Sequence, residues 1–408
     1  MGEASSRAGE GAVAGERAVA DERDGTVEGA VAVERAGAAD PAGADEWAGR
    51  FEQQAAACDD LGSPLWARLL RIVAVDIQAE GPSWSVVRER AGLRFGQAGP
   101  LRLVGAAHRL ALAGSAPEWA SLLPSCGGEA PPADADGDRV LRSGWAGLVD
   151  HHGDALVAGL DREVQTNEVG RAAALGYAHA VALADRGGPA RLVEIGCSGG
   201  LNLRLDRFRL DLSGGGSGPV LGDPDSRVRL APEMPTMARA GLSTVGVVER
   251  IGIDPHPIDP TSVEGRLTLL SFVWPDQVER FERLAAAIDL AREVPAELVA
   301  TAGRPTAEVL AEVVARPVGE GTATIVQHSI VWQYIPTDQR AAVTAAIESA
   351  GERATAGEPV VWVRFEPDVW DRGRVAVWVR RWPEGGDQLV AHADYHGRWL
   401  TPVPTPAP

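Results

Sequence analysis

The spacing of hydrophobic positions changes once along the chain. From Trp47 to about Leu160, apolar residues recur at three- and four-residue intervals, as in LWARLLRIVAVDI and LRLVGAAHRLALAG, the spacing that lines one face of a helix. Pro82, Pro100 and Pro117 stand where helices can begin, because proline's missing N–H has no helical partner there in any case. The segment CGGEAPPADADGD reads as a loop. From Asp161 the texture differs: an Ala-rich helical run through Asp185 closes at Gly187, Gly188 and Pro189, and the short apolar strand RLVEIG follows. Further strands are predicted in STVGVVERIGID, RLTLLSFVW, TATIVQHSIVW and PVVWVRF, with helices in VERFERLAAAIDLA and residues 337–350. Such alternation predicts a mostly parallel sheet. At the end, RVAVWVRRW and QLVAHADYH flank the turn PEGGD and predict an antiparallel hairpin.

Three units follow: a tail over 1–45, an all-helical domain over 46–160 and an α/β domain over 161–402. The tail is nearly all Ala, Gly, Glu, Arg, Val and Asp, too poor in apolar area to offset chain entropy, and is expected to be disordered. Residues 211–235, with SGGGSG and several prolines, are expected to form a flexible insertion.

Composition removes several functions. The net charge is -18 over 408 residues; a nucleic-acid backbone is repelled by such a field, so no nucleic-acid partner is expected. All 39 basic residues are arginine, which excludes a Schiff base to pyridoxal phosphate, a P-loop lysine and a lysine general base. Cys58, Cys126 and Cys197 are far apart and odd in number, which argues against a disulfide framework and for a reducing, cytoplasmic setting. No apolar run approaches the roughly 18 residues of a membrane span, so no membrane partner is expected.

The candidate chemistry centres on RLVEIGCSGGLNL. An apolar strand ends near Glu194, a Gly/Ser-rich turn spans 196–200, and a helix can begin at Leu201. Glycines let a backbone approach a ligand, free N–H groups at a helix start face it, and an acid at a strand end accepts hydrogen bonds. The dinucleotide pattern GxGxxG fails, because Ser198 and Leu201 occupy its later glycine positions. The arrangement resembles motif I of class I S-adenosylmethionine-dependent methyltransferases, with Glu194, Gly196 and Gly200 in place and Ser198 at the middle glycine. That resemblance implies a Rossmann-like sheet and S-adenosylmethionine as cofactor, held by Glu194, Gly196, Ser198, Gly199, Gly200 and Asn202, with Asp254 at the ribose. The second acid lies far along the chain because of the insertion.

The same letters spell G-x-S-x-G, the nucleophile elbow of α/β-hydrolases, which His328 with Asp254 or Asp276 would complete. The helical reading of everything before Arg191 opposes it, since an elbow follows earlier strands of its sheet. A third alternative keeps the fold and binds a small molecule without turnover.

Three other segments suit chemistry. VQTNEVGR carries Asn167, Glu168 and Arg171; SFVWPDQ carries Trp274, Asp276 and Gln277; HSIVWQY carries His328 and Trp332. With the central motif they resemble the bacterial family known as domain of unknown function 2332, from Trp47 to Trp399. Under the methyltransferase reading His328, Glu168 and Asp276 are the catalytic candidates, and Asn167, Arg171, Trp274, Gln277 and Trp332 face a small-molecule acceptor. His392, Asp394 and His396 alternate on a predicted strand, but an edge hairpin would expose them to solvent, and no metal is assigned.

Overall fold

The computed structural model describes residues 42–404 apart from 217, 236–240 and 372, so the expected tail falls, except for its last four residues, outside the described residues. The helical unit comprises α1 (Ala44–Asp60), α2 (Pro64–Gln78), α3 (Pro82–Val87), α4 (Gly99–Leu112), α5 (Pro117–Ala120) and α6 (Ala135–Gly159). It has its own core, built on Trp47, Trp66, Trp119 and Trp145. Helix α2 shows the logic of the unit. Pro64 opens it, and Leu65, Leu69, Ile72, Val73 and Ile77 line its buried side.

The rest of the chain is α/β. After α7 (Ala172–Ala182) come β1 (Pro189–Ile195), β2 (Arg209–Asp211), β3 (Val220–Gly222), β4 (Arg229–Leu230) and β5 (Gly246–Asp254). Next are α8 (Val263–Ser271), α9 (Val278–Glu293), β6 (Glu297–Ala300), α10 (Thr306–Val314), β7 (Ala323–Ser329) and α11 (Thr337–Glu352). The chain closes with β8 (Val360–Pro367), β9 (Val375–Trp382), β10 (Asp387–Ala393) and β11 (Leu400–Pro402).

Eight strands form one sheet in the order β11-β10-β9-β8-β7-β1-β5-β6. Its β6-β5-β1-β7-β8 half is parallel, and β9 to β11 are antiparallel, as the hairpin pattern predicts. One face packs on α7 through Leu192, Ile325 and Val363. The other packs on α10 and α11 through Val193, Val326 and Trp362.

Two expectations change and one is refined. RLTLLSFVW lies in helix α8 and the turn after it, not in a strand: the Ser262 hydroxyl accepts from Gly265 N at 2.9 Å and caps α8, a signal that the apolar run obscures. The helix expected from Leu201 is present as a 3-10 helix, Leu201–Arg207, kinked at Arg204. The insertion 211–235 contains β3 and β4, which flank β2 in a second small sheet, and its Leu212, Leu221, Val228 and Leu230 join the main core. Strand β6 and helix α10 had no forecast, because ELVA is a short, half-exposed edge strand with little apolar contrast. Among the described residues no helix is long and apolar enough to cross a membrane.

Candidate functional site

The parallel half of the sheet reverses its winding between β1 and β7, and the turn 196–200 leaves β1 at that point. Gly196, Ser198 and Gly200 have φ of 68°, 50° and 62°, so the left-handed conformation at Ser198 is imposed on a side chain that ordinarily avoids it. Asp254, at the end of the neighbouring strand β5, holds this turn. Its carboxylate accepts from Ser198 N and from His256 N, both at 2.9 Å.

The glycines serve close packing within the chain. A Cβ on Gly196 would stand 2.4 Å from Val331, one on Gly200 2.7 Å from Leu298, and one on Gly199 2.9 Å from Leu269. On the other side of Cys197, Gly252 leaves room for its sulfur. Burial pushes the Cys197 thiol up, which disfavours the thiolate of a nucleophile.

Residues 163–168 lie across the turn. The Ser198 hydroxyl donates to Gln165 Oε1 at 2.8 Å, Leu201 N donates to Asn167 Oδ1 at 2.9 Å, and Asn202 Nδ2 donates to the Glu168 carbonyl at 3.2 Å. Glu168 itself is buried, accepting from Gly170 N at 2.8 Å and from Arg280 Nε at 2.6 Å. Burial alone would raise its carboxyl; Arg280, His396, the Gly170 N–H and Arg171 outweigh that and hold it down at about 2. A cavity of about 10 Å³ beside it, lined by Asn167, Glu168, Leu269 and Arg280, has room for about one water.

Glu194 is buried at the end of β1, on the α7 face. Burial pushes its carboxyl up to about 8, against the weaker opposing effects of Gln327, Arg171 and Arg204. Gln327 stands beside it in register on β7 and accepts from His179 Nε2 of α7 at 2.9 Å. Glu194 Oε2, Gln327 Nε2, His179 Nδ1 and Asn202 Oδ1 make no hydrogen bond of normal geometry.

His328, the next residue on β7, points to the opposite face. Its Nδ1 lies 2.6 Å from Glu366 Oε1, its ring stacks on Trp332 at 5.1 Å and 18°, and Nε2 is buried without a partner. Arg171 donates to the Tyr395 and Ser329 carbonyls at 2.9 and 3.2 Å, joining the segment before α7 to the turn after β10 and the end of β7.

The third motif does something else. Asp276 accepts from Ser63 Oγ at 2.5 Å and from Leu65 N at 2.9 Å, so it caps α2 of the helical unit from across the chain. Gln277 donates to the Leu61 carbonyl at 3.0 Å, and Trp274 is buried in the helical core. These three side chains dock the two units. The members of a serine triad are engaged with other groups: the Ser198 hydroxyl is bonded to Gln165, the Asp254 carboxylate to the backbone amides of Ser198 and His256, and His328 to Glu366. Asp394 and His396, in the turn between β10 and β11, are buried rather than solvent-facing. Among the described residues no group of three or more His, Cys, Asp and Glu is placed to hold a metal ion.

The sequence reading missed Gln165, Gln327, Arg280 and Glu366. Glu366 had a signal, as the acid that ends the apolar strand PVVWVRF; Arg280 lies on a helix face like any other arginine.

A family model described as an uncharacterized protein conserved in bacteria (DUF2332) matches residues 48–401. No curated protein and no solved structure matches the chain.

Proposed function

The chain belongs to the DUF2332 family, and from that premise we propose that it is an S-adenosylmethionine-dependent methyltransferase acting on a small molecule. The cofactor binds a Rossmann-like sheet of class I methyltransferase type at the switch between β1 and β7. One observation carries this reading: the order β6-β5-β1-β7-β8 changes direction where a strained Gly/Ser turn leaves β1, with Glu194 ending that strand and Asp254 ending its neighbour. Crevices at such switch points are where open α/β sheets take ligands. Buried polar atoms without partners cost about 1–3 kcal/mol each, and Glu194 Oε2 on β1, Asn202 Oδ1 in the segment after it and His328 Nε2 on the opposite face of β7 are such atoms.

In this conformation the chain fills its own site. Gln165 and Asn167 take the Ser198 hydroxyl and the Leu201 N–H that a cofactor would use. Residues 163–168 must therefore move aside on binding, and affinity is reduced by the fraction of molecules that are open. Glu194 would meet the amino end of the cofactor and Asp254 its ribose, while His328 faces the acceptor. The setting we propose is cytoplasmic, in keeping with three free cysteines.

A thermal-shift titration tests the reading. A ligand bound only by the folded chain stabilises it by about 2.7 kcal/mol at 100-fold excess over Kd. S-adenosylmethionine and S-adenosylhomocysteine should raise the melting temperature, and NAD and ATP should not. A rise with neither of the first two, or a rise only with NAD or ATP, contradicts it.

A further inference from the structure

We infer that Glu366 is a positioning residue that fixes the imidazole of His328 with Nε2 as its free lone pair, making that nitrogen the proton acceptor of the site. Resting on the methyl-transfer reading, this gives the acceptor's class: a molecule that loses a proton from oxygen or nitrogen as it is methylated.

Three groups converge on Glu366 Oε1. That oxygen accepts from Val331 N at 3.0 Å and from Trp332 N at 3.2 Å, as well as facing His328 Nδ1 at 2.6 Å. The two backbone groups can only donate, so the oxygen is an acceptor in place, and the ring nitrogen before it must carry hydrogen. A neutral imidazole holds one N–H. With that hydrogen on Nδ1, Nε2 is left as a lone pair. Nε2 has no partner, although His328 is only 1% exposed. Trp332 stacks on one side of the ring and Trp362 lies tilted at 6.0 Å, which limits its rotation. A base held by an orienting carboxylate, its other nitrogen free, is the arrangement that general-base catalysis requires.

A turn-capping role accounts for the bonds to Val331 and Trp332. It leaves the bond to Nδ1 and the bare Nε2 unexplained. The proposed step balances as follows. With a sulfonium methyl donor bound, the acceptor's lone pair would form the bond to the methyl carbon as the carbon–sulfur pair left on sulfur, and Nε2 would take the acceptor's proton and become an imidazolium.

The test is a two-bond proton–nitrogen correlation on the full chain labelled with ¹⁵N at its 8 histidines. His328→Gln identifies the signals by their loss. Should that variant not fold, Trp332→Phe, which alters the ring stacked at 5.1 Å, moves them instead. The expected wild-type pattern is a protonated Nδ1 and an unprotonated Nε2. Glu366→Gln should keep it, because the amide oxygen still accepts from the two backbone groups, and Glu366→Ala should move the ring toward the Nε2–H form. A wild-type Nε2–H tautomer, or an unchanged pattern in Glu366→Ala, overturns the inference, and the wild-type pattern alone decides if the alanine variant does not fold. The outcomes separate from those of the cofactor titration: the expected tautomer with no cofactor binding would keep the Glu366–His328 pair and remove the methyl acceptor.

Discussion

Arg280→Ala is expected to destabilise the fold by about 3–5 kcal/mol at pH 7, the usual consequence of stranding one partner of a buried ion pair. Glu168 is 4% exposed and its nearest cation is Arg280, at 2.6 Å. Burial is the largest single effect on it, so without that cation the carboxyl is expected to rise above its ordinary 4.5 against the remaining pull of His396, the Gly170 N–H and Arg171. The sign of the pH dependence then reverses. In the wild type the group sits at about 2, below its unfolded value, so its stabilising contribution is complete above 4.5 and is lost as pH falls toward 2. In the variant the raised carboxyl penalises folding increasingly as pH climbs above 4.5. The gap between the two proteins should therefore be widest at neutral pH and shrink on acidification. Urea unfolding at pH 7 and pH 4.5 measures it, and Glu168→Gln added to Arg280→Ala should recover much of the loss at pH 7. A gap independent of pH would mean that Arg280 acts through packing alone.

Glu194→Gln should do the opposite and stabilise the unliganded protein. The folded carboxyl at about 8 lies above its unfolded value of 4.5, so the folded state binds the extra proton and stability falls as pH rises between those values. At about 1.4 kcal/mol per pH unit, the 2.5 units between 4.5 and pH 7 amount to a cost of about 3 kcal/mol, which a neutral amide avoids. The variant should match the wild type near pH 4.5 and exceed it progressively up to pH 8, as read by chemical denaturation across that range. The same substitution should weaken cofactor binding, since a carboxylate there meets the ligand's ammonium group. A group kept at the expense of stability is what a binding site leads one to expect. Equal stability at pH 8 would show that Glu194 is ionised in the fold without penalty.

The large elements were legible because their periodicity is clean. Helix α2 keeps one apolar face, and β7 and β8 open on the largely apolar runs ATIV and VVWV, as buried parallel strands do. RLTLLSFVW misled because a short apolar run fits a buried strand and a buried helix equally well, and the cap at Ser262 decides. The turn 196–200 was placed correctly at the end of a strand, while the purpose of its glycines was not visible: Val331 presses on Gly196 from 135 residues away and Leu298 on Gly200 from 98. Asp276 and Gln277 resembled site residues because their motif reads as polar groups at a strand end. Their partners, Ser63, Leu65 and Leu61, lie in the other unit, and no local pattern records such a contact. Glu194 and Asp254 were legible as acids at or near strand ends, and the sheet makes those strands neighbours despite the insertion between them.

The most direct test of the central claim is ultraviolet crosslinking of labelled S-adenosylmethionine to the full chain, followed by peptide mapping. The account predicts saturable labelling in peptides containing residues 194–202 or 254–258, competed by S-adenosylhomocysteine and not by NAD. Labelling that does not saturate, or that falls on peptides away from the β1–β7 edge, would contradict it.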